Sequence, residues 1–100
     1  MRLQDRVCVK KSEIHGKGLF ARRDIAKGEY IGTFRGPAAK RDGMYVLWIY
    51  CGDDWQGRHG RNSLRYLNHA KTCNAEFDDF DLYALRRIRA GSEITIDYNG

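Results

Sequence analysis

Arg65-Tyr66-Leu67-Asn68-His69, with Glu93-Ile94-Thr95-Ile96-Asp97-Tyr98 near the end of the chain, is the stretch on which the reading of this sequence turns. The first piece sets an amide beside an imidazole, behind a tyrosine and a leucine. The second is a β-branched run that ends in a tyrosine. Neither has the pattern of core filler. Together they predict a site assembled from two distant segments, with polar groups held in fixed positions.

The remaining sequence sets bounds on that site. One hundred residues make one domain. A chain of this size buries somewhat more than about 60% of its unfolded surface, enough for one modest core. A hydrophobic content of 42% with 12% aromatics argues for a folded protein. The net charge of +5 is uneven: residues 1–50 hold 11 Lys/Arg against 5 Asp/Glu, and residues 51–100 hold 7 against 8. A basic half can meet phosphate or an acidic partner, or simply be solvated. The acidic run Glu76-Phe77-Asp78-Asp79-Phe80-Asp81 breaks any uniformly basic surface, so nucleic acid is not the expected ligand. Cys8, Cys51 and Cys73 are an odd number without a C-x-x-C pair, which argues against a disulfide framework and a zinc site. An intracellular protein is expected, since the N-terminus has no apolar signal-like region and no apolar stretch approaches 18 residues.

The chain reads as short strands. Val7–Lys11 alternates; 12–18 carries two glycines and reads as a loop; a second strand runs from Leu19 to about Asp24; a third covers Tyr30–Phe34. Met44–Cys51 is aromatic and branched, hence a strand. The polar, glycine-rich 52–61 reads as a surface loop, and 63–69 as a short helical turn. One or two strands fit 76–89, and a last strand 94–98. Residues 22–31 echo 86–94: strand, glycine turn, Glu, strand. The echo suggests two similar hairpins, or a chance likeness of two turns. The expected fold class is mostly β, built of small twisted sheets.

Each candidate motif has a bland reading beside the sharp one. His15-Gly16-Lys17-Gly18 lets backbone approach a ligand closely, or is a plain turn; without a third glycine and a helix it is no dinucleotide fingerprint. Asn68-His69 can hold an adenine edge or a carboxylate, or cap a turn. Tyr98 can pack on the core or serve as a donor, acceptor or acid–base group.

Taken in order, the three pieces resemble the SET domain family of protein lysine methyltransferases. They are His15-Gly16-Lys17-Gly18-Leu19-Phe20-Ala21, followed by Ile25 and Gly28-Glu29; Arg65-Tyr66-Leu67-Asn68-His69 with Asn74; and Gly91-x-Glu93-Ile94-Thr95-Ile96-Asp97-Tyr98. The likeness covers about residues 5–99, with residues 1–100 as a single minimal SET domain. It implies a β-clip fold whose Asn-His and C-terminal segments meet in a knot-like crossing. It also implies S-adenosylmethionine as methyl donor on one face and a lysine entering a narrow channel from the other. Carried over by residue, the backbone of Lys17, Gly18 and Leu19 contacts the donor, Asn68 and His69 hold it, and Tyr66 packs beside it. Tyr98 becomes the catalytic tyrosine, and Phe77 and Ile96 line the channel. The chemistry is consistent. Methyl transfer from a sulfonium to an amine is an in-line displacement that needs alignment rather than a protein nucleophile. A lysine at about pKa 10.4 must first lose a proton, which an apolar channel and a nearby sulfonium both favour. With apolar side chains at Phe77 and Ile96, more than one methylation per lysine is expected. The acidic run 76–81 either rims the peptide entrance or is a solvated loop.

Two departures from the family pattern carry expectations. Its usual Asn-His-Ser-Cys-x-Pro-Asn here reads Asn68-His69-Ala70-Lys71-Thr72-Cys73-Asn74. Lys71 replaces a cysteine that in many members shares a zinc, so no metal is expected. No cysteine-rich segment follows Tyr98, so either a partner or second copy completes the C-terminal side, or the site is open and activity weak. The alternative function is a weak or inactive SET-like module that binds a basic peptide; a small basic nucleic-acid-binding β domain is the other rival.

Overall fold

The computed structural model describes residues 2–97. In chain order it contains α1 (Leu3–Arg6), β1 (Val7–Lys11), β2 (Lys17–Ala21), β3 (Tyr30–Thr33), β4 (Ala38–Ala39) and β5 (Val46–Cys51). There follow β6 (Asp54–His59), a 3-10 turn (Ser63–Tyr66), β7 (Asn68–His69), β8 (Ala75–Asp78), β9 (Asp81–Ala84) and β10 (Glu93–Ile96). These form three small sheets, ordered β1-β2-β10-β7, β3-β9-β8 and β4-β6-β5, the mostly β architecture that the sequence predicts.

Burial explains the strand sequences. β10 lies between β2 and β7, so Ile94, Thr95 and Ile96 are all buried and the run does not alternate. β1 is an edge strand, and its Lys10 and Lys11 are correspondingly polar. Leu19, Ile25, Ile31, Leu64, Leu82, Ile88 and Ile94 are the largest of the nearly inaccessible side chains, and they belong to one contiguous core with Val7, Phe34 and Phe80.

The internal echo is real but is not a pair of hairpins. Ile25 and Ile88 face each other, exchanging N–H···O bonds of 2.7 and 2.8 Å. Gly28 donates to the Ala84 carbonyl and Gly91 to the Ala21 carbonyl, both at 2.8 Å. Each glycine holds a left-handed φ, +80° and +88°, which side-chain-bearing residues rarely adopt. The strands then exchange partners: β2 of the first unit pairs with β10 of the second, and β9 of the second with β3 of the first. The two units are therefore interlocked around the Ile25–Ile88 contact. Local similarity reports a repeated shape, not which strand it pairs with.

Other boundaries also differ from expectation. Residues 54–59 are a strand rather than a loop: β6 pairs with all of β5, from Val46↔His59 to Cys51↔Asp54, across a tight turn with Gly52 at φ +65°. The hairpin tolerates polar residues because much of one face is solvent-exposed. The helical turn stops at Tyr66, because Leu67 is extended (φ −58°, ψ 129°), and Asn68-His69 is a two-residue strand. β2 begins at Lys17 and ends at Ala21. α1 and β4 were not expected. Tyr98 lies outside the described residues.

Candidate active site

The two opening segments adjoin. β7 pairs in parallel with β10, Thr95 opposite Asn68 and Ile96 opposite His69, and Ala70 donates to the Ile96 carbonyl at 3.0 Å. Asn74 ties down the next turn: its Nδ2 donates to the Glu93 carbonyl (2.8 Å) and its Oδ1 accepts from Thr95 N–H (2.9 Å).

Asn68 sits at the hub of a polar network. Its Nδ2 lies 2.9 Å from Glu93 Oε2 and 3.1 Å from the carbonyls of both His15 and Lys17. The Glu93 carboxylate also accepts from Ser12 Oγ at 2.8 and 2.9 Å, and Ser12 Oγ accepts from Ile14 N–H at 2.9 Å. The amide nitrogen is thus committed to the protein, and the Ser12–Gly16 loop is held against β7. Gly18 has a packing reason: a Cβ there would run into the Glu93 carboxylate. Glu93 therefore sets the position of Asn68, a role sequence reading did not give it.

A cleft of about 580 Å³ opens beside this network, within the size range typical of ligand sites. Lys17, Tyr66, Asn68 and His69 all line it. Gly18 and Leu19 do not; both are buried behind the wall, and Leu19 belongs to the core. His69 Nδ1 lies 3.5 Å from Asp97 Oδ1.

Ile14, Met44, Tyr45 and Arg65 also line the cleft and had no assigned role in sequence reading. Arg65 donates to Tyr66 OH at 2.8 Å, and its guanidinium lies 4.8 Å from the Tyr66 ring centroid and 5.3 Å from that of Tyr45. Lys17 Nζ stands 5.7 Å from the Tyr66 centroid. The cleft wall holds two strong cations and no carboxylate, which suits a ligand with a carboxylate and a flat ring.

A second cleft, of about 440 Å³, is lined by Phe77 and Ile96 together with β5 residues, Cys73, Glu76 and Asp97. Of the acidic run only Glu76 and Phe77 reach it; Asp79 forms the β8–β9 turn, and Asp81 accepts from Thr33 Oγ1 at 2.6 Å. A small gap of about 20 Å³ adjoins both clefts. It shares Met44, Tyr45, Arg65 and Leu67 with the first, and Leu47, Phe77 and Ile96 with the second.

Such a fold and pair of clefts define a class. The SET domain profile matches residues 16–99. Human histone-lysine N-methyltransferase 2B is 30% identical over 95% of this chain, and human histone-lysine N-methyltransferase 2D is 32% identical over 95%. The chain spans only 4% and 2% of the length of those two relatives. The methyltransferase domain of human PR domain-containing protein 2 superposes with a TM-score of 0.72 at 25% identity, covering 96% of this chain and 78% of that one. The chain belongs to the SET domain family of protein lysine methyltransferases, a family that uses S-adenosylmethionine.

Proposed function

We propose that this chain is a minimal SET domain that transfers a methyl group from S-adenosylmethionine to the side-chain amine of a lysine in a basic protein, with histones the first substrates to test. The observation that carries the reading is the small gap walled by residues of both clefts.

The first cleft fits the donor. Lys17 and Arg65 offer charge to its carboxylate, and Tyr66 and His69 offer flat faces to its adenine. Asn68 and the backbone at Lys17 orient it. The second cleft fits the substrate. β5 is the outer strand of its sheet, so its free backbone edge can pair with an extended peptide. Phe77 and Ile96 wall the lysine's path. Met44, 88% exposed, is the most exposed wall of the gap. By the family resemblance Tyr98, which lies outside the described residues, serves as the catalytic tyrosine whose hydroxyl orients the neutral amine and the methyl group. The donor brings the electrophilic methyl; the protein supplies alignment and desolvation.

Tyr45 bears on the number of methyl groups added. Two apolar wall residues favour repeated methylation. Tyr45 adds a hydroxyl-bearing ring to the same wall, and a hydroxyl close enough to bond the amine restricts its rotation. The thiols of Cys8 and Cys73 are free, in keeping with work inside the cell. Among the described residues no helix is long and apolar enough to cross a membrane.

The test is transfer of labelled methyl to histones, with donor binding followed by calorimetry. Transfer is expected to be abolished in Tyr98→Phe and donor affinity weakened in Asn68→Ala. Donor binding without transfer to any protein would favour the inert peptide-binding module; no donor binding would overturn the reading.

A further inference from the structure

The β5–β6 hairpin presents two faces, because successive strand residues alternate. Leu47 and Ile49 pack on the core. Trp48 and Tyr50 share the other face with Trp55, which lies directly opposite Tyr50. The Tyr50 and Trp55 rings meet edge-on at 5.3 Å, and the residues are 59% and 60% exposed. So exposed a pair contributes little to the core. Both rings, with Trp48, line the second cleft beside Glu76 and Asp97. Glu76 is exposed and its carboxylate makes no ion pair or hydrogen bond among the described residues, whereas Asp97 faces His69. No lysine or arginine lines this cleft. Aromatic faces next to an uncommitted carboxylate are the chemistry that receives a cation.

We propose that Trp48, Tyr50, Trp55 and Glu76 form a subsite for a second basic side chain of the substrate, a lysine or arginine about three residues from the target lysine. The proposal rests on the lysine-substrate reading above. Leu47 walls the gap where the target lysine enters, and Tyr50 is three residues further along β5, roughly 10 Å away. An extended peptide lying along this outer edge rises by the same amount per residue. Three is odd, so the peptide's third neighbour points to the face opposite the target lysine, as Tyr50 does relative to Leu47. Neutral or acidic residues at that peptide position forfeit the contact.

The test uses fluorescent lysine peptides with arginine, alanine or glutamate three residues to either side of the target. Binding by anisotropy and methyl transfer are read in parallel. Arginine on one side is expected to bind roughly three- to thirty-fold more tightly than alanine, the sum of an exposed cation–π contact and an exposed ion pair. The ratio of arginine to alanine affinities is expected to fall toward one in Trp55→Ala and, in part, in Glu76→Gln. Equal binding of all three peptides on both sides overturns the subsite, even where transfer is robust. Equal loss of arginine and alanine peptides in Trp55→Ala also overturns it, because the ring then merely supports the hairpin. Dimerisation lost in Trp55→Ala, without peptide discrimination, would assign the face to a second copy. Discrimination in binding without transfer supports the subsite while removing the enzyme reading, so the two fail separately.

Discussion

At the scale of single residues, the site depends on side chains that act through one another. Asn68 has its amide nitrogen held by Glu93 and two backbone carbonyls, and Glu93 is in turn held by Ser12. Asn68→Ala is expected to weaken donor binding by about five- to hundredfold, the range of one lost or misplaced hydrogen bond to a charged group. Because Glu93 works through Asn68, the two substitutions are expected to be non-additive, with a coupling of about 0.5–3 kcal/mol in a calorimetric double-mutant cycle. Independent costs would mean that Glu93 only supports the fold. Tyr45 offers a sharper test of the gap. Tyr45→Phe keeps the ring on Tyr66, where the centroids are 5.7 Å apart, and removes the hydroxyl. The product distribution by mass spectrometry is expected to move toward higher methylation; an unchanged distribution would take Tyr45 off the lysine's path. Asn68 and His69 were legible as candidate site residues because an amide beside an imidazole carries recognisable chemistry, whereas Lys17 and Tyr66 were implied by the family resemblance. Tyr45 and Arg65 were not. Tyr45 reads as one more aromatic in a strand-forming run, and only the packing of the β5 approach against the 3-10 turn brings both to the cleft.

At the scale of elements, the interlocked repeat is the feature on which the two clefts depend. β10 is held on one side by β2 and on the other by β7, so whatever loosens the Ile25–Ile88 junction loosens both. Ile25→Ala and Ile88→Ala are each expected to cost about 2–5 kcal/mol in denaturant unfolding, as for fully buried aliphatic truncations. Costs under 1 kcal/mol would show that the junction is not a core contact. Asp24 pins the same region from outside. Its carboxylate accepts from Ala90 N–H at 2.9 Å and pairs with Arg87 at 2.6 Å, and the backbone donor, then the guanidinium, hold its pKa below the ordinary value. A lowered folded-state pKa stabilises above the unfolded value, near 4, and that contribution fades as pH falls through the folded value. Asp24→Asn is therefore expected to lower Tm at pH 7 and to make less difference as pH drops below about 4. A Tm deficit that is constant with pH would remove the electrostatic part of this contact. The strands β1, β3, β5 and β10 were readable from alternation and branched residues. β6 was not, because its exposed polar face and glycines look like loop. β7 was not, because a two-residue strand is defined by its partner rather than by its own sequence.

At the scale of the whole molecule, charge and shape divide between the two clefts. The first carries Lys17 and Arg65 without a carboxylate; the second carries Glu76 and Asp97 without a lysine or arginine. That division matches a carboxylate-bearing donor on one side and a cationic peptide on the other. It was not visible in the charge totals of the two halves of the chain, because each cleft draws residues from both halves. The resemblance set the order of the pieces; the fold set a small gap, walled by residues of both clefts, between the two charges. The most direct test is mass spectrometry of core histones after incubation with this protein and S-adenosylmethionine. Methyl groups on lysine side-chain nitrogens are expected with the wild type, are expected to be absent with Tyr98→Phe, and are expected to be reduced with Asn68→Ala at limiting donor. Unmodified histones and an unmodified lysate, from a protein that binds the donor in its first cleft, would contradict the account.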